Sequence, residues 1–424
     1  MDRKKKKLAA SKTAALLEQQ RKAMKERFIS RTKAIIEMIG GSTLLEKFPE
    51  IYIQKLYECR YPSLKAKAAP GSEISKTRAV QFHKLLQQLM EGIEIPLTGT
   101  AQIPLAWYLS EAQTLIDGIS TLDAEGDPRL LEIKAAFAPY HPESELHHNI
   151  QELLHELVTE TCRFLSDYND RIYRADISMT PYFAAFNPQN DILIHAFKPP
   201  IERVETAKGP RDAIRLGWAN PDFKWENFKV KASALGFKVQ GLDIPLDLYI
   251  TKHALQRLNE RINVTPGIMH EILLLTFLQE RIPHHWNGYE SQVDYLVADE
   301  KVGYFTVKLY ENKLILHTFL FLTNNDTPEG EKLNRMLEVE MVDKKYLSID
   351  KLPDFNSYHI DQNEKLSKLF KDAGCGSLLK LGHIQAFTLN EVKDKDPESI
   401  LKYLADAPYF RKQMTSAPHD IQAD

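Results

Sequence analysis

The sequence predicts an α+β protein, in which a helical N-terminal region precedes an α/β unit with a small, mostly antiparallel sheet. The N-terminal half carries apolar residues at helical spacing, beginning with a stripe formed by Leu17, Met24, Phe28, Ile35 and Ile39. After residue 171 the sequence becomes dense in proline, asparagine and aromatic residues, which is typical of short strands and ordered loops. Three strand-like runs then follow between residues 293 and 323. The predicted helices precede the predicted strands in the sequence. This order is typical of an α+β chain rather than of alternating βα units.

A chain of 424 residues is too long for one compact core, and its composition changes along its length. Residues 62–72, rich in alanine, lysine and proline, are predicted to be an exposed linker. We expect five segments: a basic amphipathic helical arm (1–62), a helical domain (73–170), an irregular β-rich segment (171–245), a compact α/β domain (246–340) and a helical C-terminal extension (341–424).

The predicted α/β domain has the clearest local patterns. Its expected elements are, in order, strand 246–251, helix 252–262, helix 266–279 and strands 293–298, 302–310 and 313–323. The last strand is apolar on both faces, which favours a central position in its sheet. Glu311-Asn312 is predicted to be the hairpin turn that precedes this strand.

The composition points to a globular protein of a reducing compartment. Hydrophobic residues make up 43% of the chain and charged residues 27%. No apolar run approaches the roughly 20 residues that span a bilayer, and no apolar segment follows the N-terminal lysines as in a secretory signal. The three cysteines lie far apart, so a disulfide framework is not indicated. We therefore expect a cytoplasmic protein with no membrane contact.

The charge is unevenly distributed. Residues 1–33 contain twelve Lys or Arg and three Asp or Glu, a net charge of +9, whereas the whole chain carries −3. The basic arm is suited to contact nucleic-acid phosphates through counterion release, or to contact an acidic partner. A solvated helix whose lysines only maintain solubility explains the same pattern.

The most informative motif lies on the helix predicted over residues 252–262. His253, Arg257 and Arg261 are spaced by four positions, so they lie along one side of that helix. The neighbouring stripe, which would face the sheet, is formed by Ala254, Leu258 and Ile262. This arrangement places an imidazole and two guanidinium groups at the edge of the core, where a groove could form.

A histidine beside two arginines suits the cleavage of an RNA phosphodiester without a metal ion. A ribose 2′-hydroxyl attacks the adjacent phosphate, a base removes its proton, and an acid protonates the leaving oxygen. Histidine suits the proton transfers because it titrates near neutral pH, and the planar fork of arginine suits the phosphate. We predict that His253 is the general acid or base, and that Arg257 and Arg261 hold the phosphate.

The segment Ile250–Ile262, with the sequence ITKHALQRLNERI, is followed by a second helix and a three-strand run ending in threonine. It resembles the small toxin-type ribonuclease domains of the RelE/BrnT kind. The resemblance covers residues 246–337, about a fifth of the chain. It implies a toxin-like fold and endoribonuclease activity, with His253, Arg257 and Arg261 as the catalytic group. It also implies a polar residue at the strand end, either Thr318 or Thr323.

Two further residues are predicted to support the reaction, Lys308 and His317, both on the expected strands. The alternative is a non-enzymatic protein that reuses the toxin-like fold and binds nucleic acid or another protein. The predicted geometry separates the two. Convergence of His253 and both arginines on one groove favours an enzyme, whereas pairing of the arginines with Glu260 and Glu271 favours an interaction protein.

No motif predicts a metal or a cofactor. The helix around His155 reads HELVTE and lacks the second histidine of a metalloprotease helix, and His148 lies two turns away from His155. Phosphate-binding glycine loops, dinucleotide-binding fingerprints and serine-hydrolase elbows do not occur in the sequence. We therefore expect neither a metal site nor a nucleotide cofactor.

Overall fold

The computed structural model describes residues 2–180, 189–206, 209–238, 243–286, 288–390 and 392–415. The chain divides into two compact units, Met1–Cys162 with Arg174–Ala196 and Arg163–Tyr173 with Phe197–Asp424. Both helices and strands are abundant, in agreement with the predicted α+β class. Among the described helices, none combines the length and the apolar character that crossing a membrane requires.

The helices up to residue 165 are α1 (Asp2–Leu45), α2 (Glu50–Glu58), α3 (Lys76–Gly92), α4 (Leu105–Trp107), α5 (Gln113–Ser120), α6 (Pro128–Phe137) and α7 (Glu145–Leu165). A π-helical turn, Tyr108–Ala112, joins α4 to α5. The strands up to residue 197 are β1 (Lys65–Ala68), β2 (Glu94–Pro96), β3 (Gln102–Pro104), β4 (Ile172–Met179) and β5 (Asn190–Phe197).

Helix α1 follows the predicted amphipathic stripe only in its second half. Phe28 and Ile35 are buried, whereas Leu17 and Met24 are exposed. Helical geometry is interrupted at Gly41, whose φ of 71° is readily adopted by glycine. The first part of α1 therefore carries its apolar residues in solvent.

The segment predicted to be an exposed linker is largely exposed but contains a paired strand, so the prediction that it is only a linker was wrong. Within residues 62–72, β1 pairs in parallel with β5, and the ammonium of Lys67 lies 2.7 Å from the carboxylate of Asp191. The strand is short, lysine-rich and at the edge of a three-stranded sheet. Its partner lies more than 120 positions away, so no local pattern announces the pairing.

The helices after residue 197 are α8 (Lys252–Ile262), α9 (Pro266–Leu278), α10 (Pro328–Leu337), α11 (Met341–Tyr346), α12 (Leu352–Asn356), α13 (Glu364–Ala373), α14 (Glu398–Tyr403) and α15 (Pro408–Thr415). The strands are β6 (Ile201–Val204), β7 (Arg211–Arg215), β8 (Gly217–Ala219), β9 (Trp225–Asn227), β10 (Lys229–Lys231), β11 (Pro245–Thr251), β12 (His284–Trp286), β13 (Ser291–Val297), β14 (Glu300–Tyr310) and β15 (Lys313–Phe321).

The main sheet of the second unit has the order β12-β13-β14-β15-β11-β7-β6, with β10 pairing to β11 as the eighth strand. All its described pairings are antiparallel except the one between β11 and β15. Strand β15 lies between β14 and β11, as its apolar faces predicted. Glu311 and Asn312 form the two-residue turn between Tyr310 and Lys313, as predicted. Strands β6, β7 and β10 extend the sheet across the boundary predicted at residue 245.

A large apolar core runs through this unit, and Val204, Ala213, Tyr249 and Ile315 form a separate small cluster. Helices α8 and α9 pack against the sheet through Leu255, Leu258 and Leu273. The C-terminal helices contribute to the same core through residues such as Leu369 and Phe370, both fully buried. The core therefore crosses the boundary predicted at residue 340, and the C-terminal helices close the unit.

Candidate active site

Thr251, which immediately precedes helix α8, anchors the start of the helix through two hydrogen bonds. The backbone N–H of Ala254 donates to Thr251 Oγ1 at 3.1 Å, and this hydroxyl donates to the carbonyl of His317 at 2.9 Å. The first bond caps the helix and the second ties its start to β15. The apolar stripe of α8 faces the core as predicted, with Ala254 and Leu258 fully buried.

The polar stripe of α8 lines an open cavity of about 260 Å³. His253, Arg257 and Arg261 all contribute to its wall, together with Thr318 from β15. The remaining lining residues are Phe319, Leu320, Asn324, Asn325, Asp326, Met341 and Lys345. The structure thus brings together four of the residues that the sequence analysis selected.

Arg257 lies at the solvent-exposed rim of this cavity. Its Nη1 is 3.0 Å from the carboxylate of Glu260, and both side chains are about two-fifths exposed. Ion pairs of this kind contribute at most about 1 kcal/mol, because water competes for both partners. A phosphate that enters the cavity can therefore replace Glu260.

Arg261 is in a different situation, because it is buried. Its Nη1 donates to the carbonyl of Asp350 at 3.0 Å and to the carboxylate of the same residue. The side chain of Asp350 is 2% exposed, so both charges depend on each other for compensation. The guanidinium of Arg261 is thus already bound, and it holds α8 to the segment before α12.

His317 lies next to the cavity on β15 at an irregularity of the strand. Thr306 pairs with Thr318 and Val307 with Leu316, so His317 is an extra residue in the ladder. Burial lowers the pKa of its imidazole, and Lys308, Arg211 and His253 lower it further, against the opposing effect of Glu290. His317 is therefore a neutral base near pH 7, within electrostatic reach of His253.

Three predicted residues do not line the cavity: His317, Lys308 and Thr323. The ammonium of Lys308 is 3.1 Å from the carboxylate of Glu290 and reaches this region through its charge on His317. Thr323 is fully buried, and its hydroxyl donates to the carbonyl of Ile349 at 2.8 Å. Of the two threonines suggested by the resemblance, only Thr318 reaches the cavity.

Comparisons with protein-family models, curated proteins and solved structures gave no match. The resemblance to toxin-type ribonucleases therefore stays a prediction, and the geometry carries the functional argument. Within the described part of the chain, no group of three or more His, Cys, Asp or Glu side chains is placed to hold a metal ion.

Sequence reasoning missed several lining residues. Asn324, Asn325 and Asp326 directly follow the strand predicted over residues 313–323, and a polar run at a strand end is a signal that could have been used. No local pattern in the sequence indicates that Lys345 lines the cavity or that Asp350 binds Arg261. Asp350 lies 89 positions from Arg261, and only folding brings the two together.

Proposed function

We propose that the cavity beside α8 binds the sugar–phosphate backbone of RNA and cleaves it without a metal ion. The observation that supports this most directly is that His253 and Arg257 line one open cavity, with His317 near enough for its pKa to respond to His253. The order β11, α8, α9 and then β13 to β15 also agrees with the element order of the toxin-type domains that the sequence resembles. The likeness in element order adds to the proposal but does not establish activity.

The two histidines divide the proton transfers. His317, whose pKa lies below its usual range, is neutral near pH 7 and accepts the proton of the 2′-hydroxyl. As the 2′ oxygen bonds to phosphorus, the bond from phosphorus to the 5′ oxygen breaks, and His253 donates a proton to that oxygen. The products are a 2′,3′-cyclic phosphate and a 5′-hydroxyl.

The arginines have unequal roles in this proposal. Arg257 exchanges its exposed partner Glu260 for a phosphate oxygen and stabilises the charge that develops there. Arg261 remains bound to Asp350 and is a positioning residue that fixes the helix carrying the other two groups.

A second candidate is a protein that binds RNA or another protein at this cavity without cleaving it. It is favoured by the carboxylate partners of three predicted cationic groups: Glu260 for Arg257, Asp350 for Arg261 and Glu290 for Lys308. Glu271, whose pairing with these arginines would also favour this candidate, pairs instead with Arg163 at 2.8 Å.

The test is cleavage of a labelled single-stranded RNA by the full-length protein in the presence of EDTA. We expect cleavage to persist in EDTA, to produce 2′,3′-cyclic phosphate ends, and to fall by about a hundredfold or more in His253→Ala. His148→Ala is the matched control, since this exposed histidine of α7 lies in the other unit.

A second pair of variants tests the phosphate contact. Arg257→Lys keeps the charge but loses the two-bond grip and should reduce cleavage by about tenfold or more. Arg335→Lys should have no effect, because Arg335 is an exposed arginine with a similar helical partner, Glu331. RNA binding without cleavage in the wild type would favour the second candidate. Full cleavage by His253→Ala would reject the proposed mechanism.

A further inference from the structure

A second cavity lies within the first unit and is unrelated to the site on α8. It has a volume of about 180 Å³ and lies between α1, the end of α2, α3 and the π-helical turn. Three arginines line it, namely Arg27, Arg31 and Arg60. Two carboxylates, of Glu91 and Glu111, also line it, so the arginines leave an excess of positive charge.

Two of these guanidinium groups lie over aromatic rings. The guanidinium carbon of Arg31 is 4.4 Å from the ring centroid of Trp107, and that of Arg60 is 3.7 Å from the ring centroid of Tyr57. The ring contacts restrict the orientation of each guanidinium, and Arg60 Nη1 also donates to the carbonyl of Tyr57. Arg31 is additionally 3.5 Å from the buried carboxylate of Glu111, which sets its position.

A buried acceptor in the same wall lacks a hydrogen-bond partner. Asn190 is 3% exposed, and its Nδ2 donates to the carbonyl of Pro62 at 2.6 Å. Its Oδ1 has no donor among the described residues. Buried polar atoms are normally satisfied, so an unpartnered acceptor that lines a cavity points to a donor supplied by a ligand.

We infer that this cavity binds a small phosphate ester that also carries a hydroxyl or amino group. The phosphate fits the three arginines because its terminal oxygens accept more N–H donors than the two oxygens of a carboxylate. The hydroxyl or amino group of the ligand donates to Asn190 Oδ1. The inference does not rest on RNA cleavage in the second unit.

The dimensions agree with a ligand of this class. A volume of about 180 Å³ accommodates on the order of ten water molecules, and a phosphorylated sugar has a similar number of non-hydrogen atoms. Apolar side chains of Met24, Phe28 and Met90 complete the wall, so part of the ligand leaves water on binding.

The experiment is calorimetric titration of the full-length protein with three probes: ribose 5-phosphate, inorganic phosphate and ribose. We expect ribose 5-phosphate to bind at least about tenfold more tightly than either fragment, because it alone supplies both the anion and the donors. Asn190→Ala should reduce the difference in affinity between ribose 5-phosphate and inorganic phosphate, because the variant lacks the acceptor for the hydroxyl of the sugar. Absence of binding by all three probes would overturn the inference.

Matched arginine variants locate the binding. Arg27→Ala and Arg31→Lys should each weaken ribose 5-phosphate binding by about tenfold. Arg21→Ala removes the same charge from the same helix outside the cavity and should leave the affinity unchanged, with helix content checked by circular dichroism. Equal losses in Arg21→Ala and Arg27→Ala would mean nonspecific attraction to a basic helix and would reject the site.

Discussion

Lys344 shows how single buried groups shape the candidate active site. Its side chain is fully buried, and Nζ donates to Thr323 O, Asn325 Oδ1 and Gly330 O at 2.7, 3.0 and 3.1 Å. Burial lowers the pKa of this ammonium to about 8. Three acceptors compensate for the loss of water, and they fix the loop that contributes Asn325 to the cavity wall.

His270 makes the stability of the second unit depend on pH. It is buried against Tyr168, whose backbone N–H donates to Nδ1 at 3.3 Å, and burial lowers the pKa of the imidazole to about 3. In the unfolded chain the usual value is 6.5, so between these pH values only the unfolded state takes up the proton. The stabilisation is complete above pH 6.5 and is lost as the pH falls toward 3.

We therefore expect the free energy of unfolding to fall by about 1.4 kcal/mol per pH unit below pH 6.5 because of this group. Urea unfolding at pH 7 and pH 5, followed for His270→Leu and wild type, measures the difference. The variant should lose this part of the pH dependence, whereas His148→Ala, at an exposed position, should retain it. The same pH slope in His270→Leu as in wild type would contradict the assignment.

At the scale of elements, the two helices after β11 begin with different threonine caps. Thr251 caps α8 with its hydroxyl and also donates to His317 O, whereas Thr265 precedes α9 without a side-chain cap bond. The pair offers a matched comparison, because valine has nearly the shape of threonine and lacks the hydroxyl.

We expect Thr251→Val to lower the free energy of unfolding by about 1–2 kcal/mol, since it removes a helix cap and leaves the partly buried carbonyl of His317 without this donor. Thr265→Val should change it by less than about 0.5 kcal/mol. Urea unfolding measures both values. Equal effects of the two substitutions would show that the cap of α8 has no special role in holding the site.

At the scale of the whole molecule, the basic arm and the rest of the chain carry opposite charge. Residues 1–20 contain six Lys or Arg and two Asp or Glu, and the described side chains among them, from residue 14, are exposed. Deletion of residues 1–33, the full basic stretch, would also remove Phe28 and Thr32, which are buried in the structure. A deletion that ends at residue 20 spares this core.

Deletion of residues 1–20 should flatten the salt dependence of nonspecific RNA binding, because each phosphate contact that is lost lowers the slope of log K against log salt by about 0.7–0.9. Binding to a labelled RNA over a range of salt concentrations measures the slope. The deletion should leave unfolding of the second unit unchanged. If the slope equals that of the full chain, the arm does not contribute to nucleic-acid binding. An acidic protein partner would then be its proposed contact.

Local patterns were sufficient for several elements of the second unit. The amphipathic stripe of α8, the turn at Glu311-Asn312 and the central position of β15 follow from periodicity and turn chemistry over a few residues. They could be predicted because each depends on neighbours in the sequence. The placement of His253 and Arg257 on one side of a helix is of the same kind.

Other features depended on contacts between distant parts of the chain. Arg261 looked like a second phosphate ligand, but Asp350 binds it in the core. The strand in the predicted linker exists because β5 pairs with it, and folding brings His317 close enough to His253 for the charge of His253 to lower its pKa. The residues in these contacts lie between 60 and more than 120 positions apart in the sequence. Contacts over such separations leave no periodic pattern in the sequence. The tertiary structure alone therefore decided which partners these side chains have, and hence their chemistry.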